Sequence, residues 1–228
     1  MRRMSNLACD AIVFVIYVLI LLPAILQAEN KSKAYIELES MPQGRFDHVA
    51  FEYSGNIYVF LGLHDYQEPP MPDDFMGRNV LRYSINENSW EIYDSIATGS
   101  WAAYSCIIGH NIYFAGGHKQ AEWIKDSVFS YNINTKELFV LTSLPTPLSR
   151  GRGFNYNGSF HILGGHNGYG PITANYVYDT SANSWTGMTE LPGGLERYAI
   201  VKFDSLVYLL GGRGIGGYPT SNINLIYR

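Results

Sequence analysis

The sequence predicts an all-β propeller, and three observations predict it. A short phrase recurs four times: Gly55-Asn-Ile-Tyr-Val-Phe-Leu-Gly62, His110-Asn-Ile-Tyr-Phe-Ala-Gly-Gly117, Gly158-Ser-Phe-His-Ile-Leu-Gly-Gly165 and Ser205-Leu-Val-Tyr-Leu-Leu-Gly-Gly212. A repeat of this period constrains the architecture before any single motif is weighed. The apolar runs inside it (57–61, 112–115, 160–163 and 207–210) are short, bounded by turn residues, and rich in β-branched and aromatic side chains, which is strand chemistry. No segment after residue 30 has a 3.6-residue apolar period. The runs are apolar on both faces, so each sheet is covered on both sides, as in sheets stacked radially about an axis.

The elements of each repeat follow in order. From one closing glycine to the next the spacings are 55 (Gly62 to Gly117), 48 (to Gly165) and 47 (to Gly212). A tyrosine follows each glycine: Tyr83, Tyr131, Tyr178 and Tyr227. Seven residues later comes Trp90 in the first repeat and Trp185 in the third, with Leu138 in the second. Arg45, Arg150 and Arg197 precede the apolar runs, and their recurrence points to bonding of loop carbonyls between repeats. The long first period holds an insertion, Leu63–Asn79, whose mix of acid, aromatic and proline suits either a partner-contact lid or a drifting surface loop.

Paired glycine after an apolar strand, then Tyr, then Trp, at a period near fifty, resembles the kelch repeat. The resemblance covers about 190 of the 228 residues. It departs from the pattern at Leu61-Gly62, at Leu138, and at the fourth repeat, which stops at Tyr227-Arg228. The resemblance implies one four-stranded blade per repeat, at about 43–96, 97–144, 145–191 and 192–228. Residues 35–42 resemble the outermost strands that begin near Trp90, Leu138 and Trp185. A strand at 34–40 is therefore expected to complete the last blade and remove its open edge. Two readings stand: a four-bladed ring, or part of a larger propeller, since kelch relatives usually have six or seven blades.

Residues 1–28 read as a signal peptide: Arg2 and Arg3, an apolar run over 11–22, and Ala28 before the cut. The run is short for a membrane span of about 20 residues. The expected product is residues 29–228, secreted or periplasmic and with no stable membrane span. An uncleaved N-terminal anchor is the alternative. That product has fourteen basic and nineteen acidic residues and no basic stripe, which argues against nucleic acid as partner. Its single cysteine, Cys106, lies in an apolar stretch and reads as a small buried hydrophobe. No internal disulfide is available to it. Asn157-Gly158 reads first as a tight hairpin turn.

Topology puts the candidate binding residues on the face formed by two sets of loops, those inside each blade after the glycines and those between blades. The residue after each glycine pair breaks the repetition: Leu63, His118, His166 and Arg213. These side chains are expected to point toward the axial opening, where imidazole and guanidinium groups suit a carboxylate or a sugar. Arg78, Arg152 and Arg197 complete the candidate binding set. No Asp/His constellation has metal-ligand spacing, so no metal and no cofactor is expected. The leading expectation is a non-catalytic module that binds a protein or glycan through this face. The alternative is an enzyme resembling the sialic-acid epimerases (mutarotases), with Glu196 or a histidine moving the proton. Copper oxidases of the galactose-oxidase type share the repeat, but Cys106 within a strand does not suit their Cys–Tyr crosslink.

Overall fold

The computed structural model describes residues 35–64, 76–119, 123–214 and 224–227, without the side chains of Trp123 and of 224–227. The signal segment, residues 65–75 of the insertion and most of the last loop lie outside the described residues. The chain divides into two units, Met1–Leu38 and Glu39–Arg228. Of the first, residues 35–38 are described; they are exposed and carry no strand.

Among the described residues the second unit has four antiparallel meander sheets and two short strand pairs, His118–Lys119 with Trp123–Ile124 and Leu195–Glu196 with Arg213–Gly214. The first sheet is Val49–Tyr53, Asn56–Phe60, Asn79–Ser84 and Ser89–Ser95. The second is Tyr104–Ile108, Asn111–Ala115, Val128–Asn132 and Leu138–Leu141. The third is Arg152–Tyr156, Ser159–Leu163, Asn175–Asp179 and Ser184–Gly187. The fourth has three strands among the described residues, Ala199–Phe203, Leu206–Leu210 and Asn224–Tyr227. The repeated apolar runs are the second strand of every sheet. Asn157 and Gly158 both have positive φ, 51° and 82°, the two-residue hairpin geometry that Asn-Gly favours.

The core lies between sheets, which is why the strands are apolar on both faces. Tyr58 and Phe60 of the first sheet pack with Phe114 and Tyr131 of the second. Tyr104 and Cys106 of the second meet Phe160, Ile162 and Tyr178 of the third. Phe154 and Leu163 of the third meet Val207 and Leu209 of the fourth, with Tyr198. Cys106 is buried, and burial pushes its thiol well up, so it is an inert filler of this layer.

The paired glycines hold consecutive left-handed residues: Gly116 and Gly117 have φ of 64° and 84°, Gly164 and Gly165 of 52° and 106°. That conformation is cheap only for glycine. It turns the backbone into the next repeat, where Gly117 N–H donates to Leu148 O at 2.8 Å and Gly165 N–H to Leu195 O at 2.7 Å. A Cβ on Gly116 would overlap Leu148 O, and one on Gly165 would overlap the Tyr104 hydroxyl. The first repeat keeps the geometry with Leu61 at φ 58° and Gly62 at 85°, and Gly62 N–H reaches Ser100 O at 2.8 Å. Leu61 accepts a strained backbone of roughly 1 kcal/mol while its side chain joins the first core layer.

The Tyr and Trp markers form a clamp on the outer side. Asn183, five residues after Tyr178, accepts hydrogen bonds from the Tyr178 hydroxyl and from Thr142 N–H of the preceding sheet. Trp185 Nε1 donates to Thr142 O at 3.0 Å. The first repeat repeats this arrangement with Tyr83, Asn88 and Trp90, and the residue held is Glu39: its N–H donates to Asn88 Oδ1 at 2.9 Å and its carbonyl accepts Trp90 Nε1 at 2.9 Å. Residues around Glu39 therefore occupy the place of a preceding blade's outer edge. The strand expected at 34–40 is not found among residues 35–40, and no pairing with the fourth sheet is among the described ones. Where the second repeat lacks Trp, Lys136 takes the Asn place at φ 62°. Its Nζ donates to Tyr93 O at 2.8 Å and lies 4.0 Å from the centre of that ring, while Tyr131 donates to Asp94 at 2.7 Å.

Asn183→Ala removes two hydrogen bonds and a side chain suited to φ 49°. It should cost about 1–3 kcal/mol, read as a lower urea midpoint with an unchanged m-value. Loss below a few tenths of a kcal/mol would show that the clamp does not hold the sheets together.

Candidate functional site

The loops between sheets carry a collar. Asp47, Ala102, Arg150 and Arg197 recur at the repeat spacing, all at positive φ of 50°, 53°, 59° and 55°. Each hands a hydrogen bond to the one before: Ala102 N–H to Asp47 O at 3.1 Å, Arg150 N–H to Ala102 O at 2.9 Å, Arg197 N–H to Arg150 O at 2.8 Å. Arg150 and Arg197 are thus true equivalents, and Asp47 is their counterpart in the first repeat. Arg45 is not, which corrects the reading of the three arginines as one set. It sits two residues earlier, where its guanidinium donates to Leu61 O and to Gln43.

The residue before each collar position pairs with the residue after the glycines: Phe46 with Leu63, Trp101 with His118, Ser149 with His166, and Glu196 with Arg213. The backbone delivers one such pair per repeat to the axial mouth, and the side chains make its two halves different. On one side Leu63 is fully buried against Met76, and Phe46 and Trp101 lie with ring centres 6.3 Å apart. On the other lie Ser149, His166, Glu196 and Arg213.

Beside these pairs lies a cavity of about 360 Å³, lined by the collar residues Asp47, Ala102, Arg150 and Arg197 with His48, Ser105 and Arg152 among others; none of the eight paired residues lines it. Arg152 Nη1 donates to the neighbouring Gly151 O at 3.1 Å; the side chain remains largely exposed, as does that of Arg197. Glu196 is wholly buried. Its Oε1 lies 3.2 Å from Arg213 Nη1 and its Oε2 3.9 Å from Arg150 Nη1; neither oxygen accepts a hydrogen bond. Burial chiefly, then the Arg197 charge, lowers the Arg150 pKa, with Glu196 and Asp47 opposing.

The candidate residues divide. Arg152 and Arg197 line the cavity. His118, His166 and Arg213 stand beside it, close enough for their charges and those of Arg150 and Glu196 to act on one another. His118 is buried and stacked on Trp101 at 4.3 Å between ring centres, and neither ring nitrogen is hydrogen-bonded. Burial, then Arg150, His166 and Arg197, push its pKa down to about 4, so it is a neutral ring at physiological pH. His166 Nδ1 accepts Gly168 N–H at 2.9 Å; burial, opposed in part by Glu196, lowers its pKa too. Arg78 is absent from the cavity lining. Its side chain is exposed, and its carbonyl accepts Ile96 N–H at 2.9 Å, a backbone place shared with Asp126 and Thr173 in the later repeats. Asp47, Trp101 and Arg150 were absent from the expected binding set. Counting back 15 residues from the closing glycine of each repeat finds Asp47 and Arg150, and 16 finds Trp101. Among the described residues no group of three His, Cys, Asp or Glu is arranged for a metal ion, and no helix is long and apolar enough to cross a membrane.

No family model matches the chain. Among curated proteins it is similar to mouse Kelch-like protein 35 (26% identical, 83% of this chain, 31% of that protein) and to cowpox virus Kelch repeat and BTB domain-containing protein 2 (23%, 59% and 24%). Beta-scruin of Limulus polyphemus is 20% identical over 68% of this chain and 18% of its own length. The chain thus spans less than a third of these relatives. The solved structure of YjhT superposes with a TM-score of 0.69 at 15% identity, covering 82% of this chain and 70% of that one, a likeness of fold.

His118 folds with its pKa below the unfolded value, so its contribution to stability is full above about pH 6.5 and is lost as pH falls toward 4. Unfolding free energy should drop by an order of 2–3 kcal/mol through that window, and His118→Leu should flatten the drop. Denaturant titrations at stepped pH measure it; an equal slope in both proteins would place the proton elsewhere.

Proposed function

For this kelch-repeat propeller we propose a non-catalytic binding role, in which the axial mouth takes a carboxylate-bearing group of a protein or glycan. The observation that carries it is the cavity with Arg150, Arg152 and Arg197 on its wall. Guanidinium groups present planar forks of donors that match a carboxylate bidentately. Val49, Ala50, Ala102 and Ala103 on the same wall offer apolar contact to whatever carries that carboxylate. The kelch names of two of its relatives agree with a recognition module. The chain acts outside the cytoplasm after loss of residues 1–28; intact mass of the exported product, starting at Glu29, is the expected result.

Screening the exported protein against acidic peptides and sialylated or uronate glycans should give a ligand from one of these classes. Arg152→Ala and Arg197→Ala should each weaken it about tenfold or more, by loss of a charge-assisted hydrogen bond, and Arg78→Ala should leave it unchanged. Equal binding by all three variants would remove the mouth as the site.

One observation favours a second reading, a sugar epimerase of the sialic-acid mutarotase kind: a fully buried carboxylate, Glu196, stands beside the arginine-lined cavity. Proton exchange between sialic acid anomers, followed by NMR, separates the two. No acceleration over buffer excludes the enzyme.

A further inference from the structure

The cavity lining is unbalanced in charge. It holds three guanidinium groups, of Arg150, Arg152 and Arg197, and one carboxylate, that of Asp47. The three arginines are not alike. Arg150 is half-buried and has acidic neighbours: Glu196 Oε2 lies 3.9 Å from its Nη1, and Glu196 and Asp47 both act to hold its proton. Arg152 and Arg197 have no acidic partner among the described residues, and both are exposed. Arg152 gives one hydrogen bond, from Nη1 to Gly151 O at 3.1 Å, and the Arg197 side chain gives none. A guanidinium has five donor hydrogens, so each of these two arginines keeps a fork of donors to offer.

The two forks sit at different levels of the lining. Arg197 stands on the collar, where its N–H donates to Arg150 O at 2.8 Å. Arg152 is two residues past Arg150, at the start of the strand Arg152–Tyr156, roughly 6 Å beyond the collar by strand rise. Its charge acts on the hydroxyl of Tyr198, the residue after Arg197, so both arginines belong to the side formed by the third and fourth repeats. A ligand with a single carboxylate fills one fork and leaves the other cation without an anion. Asp47, in the first repeat's part of the lining, repels an anion from its own surroundings and so favours the arginine side.

Resting on the reading of the cavity as a carboxylate site, we infer that its ligand bears two carboxylates, one taken by Arg197 at the collar and the other by Arg152 within the first strand of its sheet. The second carboxylate adds a charge-assisted hydrogen bond, and the cationic excess of the lining attracts it.

Gluconate and glucarate test this, being near-equal in size with one and two carboxylates. Both are titrated by calorimetry at low salt into the exported protein. The wild type should bind glucarate at least fivefold tighter than gluconate. Arg152→Ala and Arg197→Ala should each weaken glucarate at least fivefold and gluconate no more than twofold, so that the preference disappears. A smaller preference in the wild type overturns the inference, whether or not the variants fold, and leaves the carboxylate-site reading standing. Variants that weaken both probes by the same factor overturn it too, because the two arginines would then hold one carboxylate together. Binding of neither probe by the wild type removes the carboxylate-site reading itself, and this inference with it.

Discussion

Everything in this molecule hangs on the hydrogen bond from the second glycine of each pair to a carbonyl in the next repeat's loop: Gly62 to Ser100, Gly117 to Leu148, Gly165 to Leu195. It needs two successive left-handed residues and leaves no room for a side chain at the second, hence a glycine there in every repeat and at the first position in all but Leu61. Because the bond crosses between repeats, it sets sheet against sheet at the axial end. The collar through Asp47, Ala102, Arg150 and Arg197 adds a second crossing bond per repeat. The Tyr–Asn–Trp clamp fastens the outer end. Aromatic layers between the sheets supply the bulk of the burial, while these polar contacts decide the register in which the layers meet.

The same constraint makes the site. A backbone pinned this tightly delivers one residue from each side of the crossing into the mouth, regardless of what that residue is. The pairs Phe46–Leu63, Trp101–His118, Ser149–His166 and Glu196–Arg213 are free to differ because they take no part in the crossing bonds through their side chains. The scaffold is therefore repetitive and the site is not. One half is aromatic and apolar, the other charged, and the contrast between them is the chemical identity of the mouth.

Much of the fold was legible as pattern. Four copies of an apolar run ending in glycine located the second strand of each of the four meander sheets, and the positive φ of Asn157 and Gly158 matched the hairpin read from the dipeptide. Less of the site was legible. His118, His166 and Arg213 emerged because they break a repeat at a recognisable place. Arg45 was grouped with Arg150 and Arg197 because a marker shared by three repeats looks periodic, although it stands two residues out of register. Arg78 was chosen for its loop, and a loop can span a face without its side chain entering the cavity. The segment near residue 39 resembled an outer strand, and its contacts with Asn88 and Trp90 bear out that likeness of place, but not the strand nor the pairing expected with the fourth sheet.

What the sequence determined by itself was the local chemistry that repeats: strand period, turn residues, the glycine pair and the aromatic markers, each of which acts on its nearest neighbours along the chain. Only the tertiary structure decided which side chains line the cavity, that Glu196 is buried beside two arginines, and that His118 is a buried neutral ring stacked on Trp101. Those properties belong to groups 17 (Glu196 and Arg213) to 79 (His118 and Arg197) residues apart in the chain. Their burial and charge balance exist only once hydrogen bonds between repeats bring them within a few ångströms of one another.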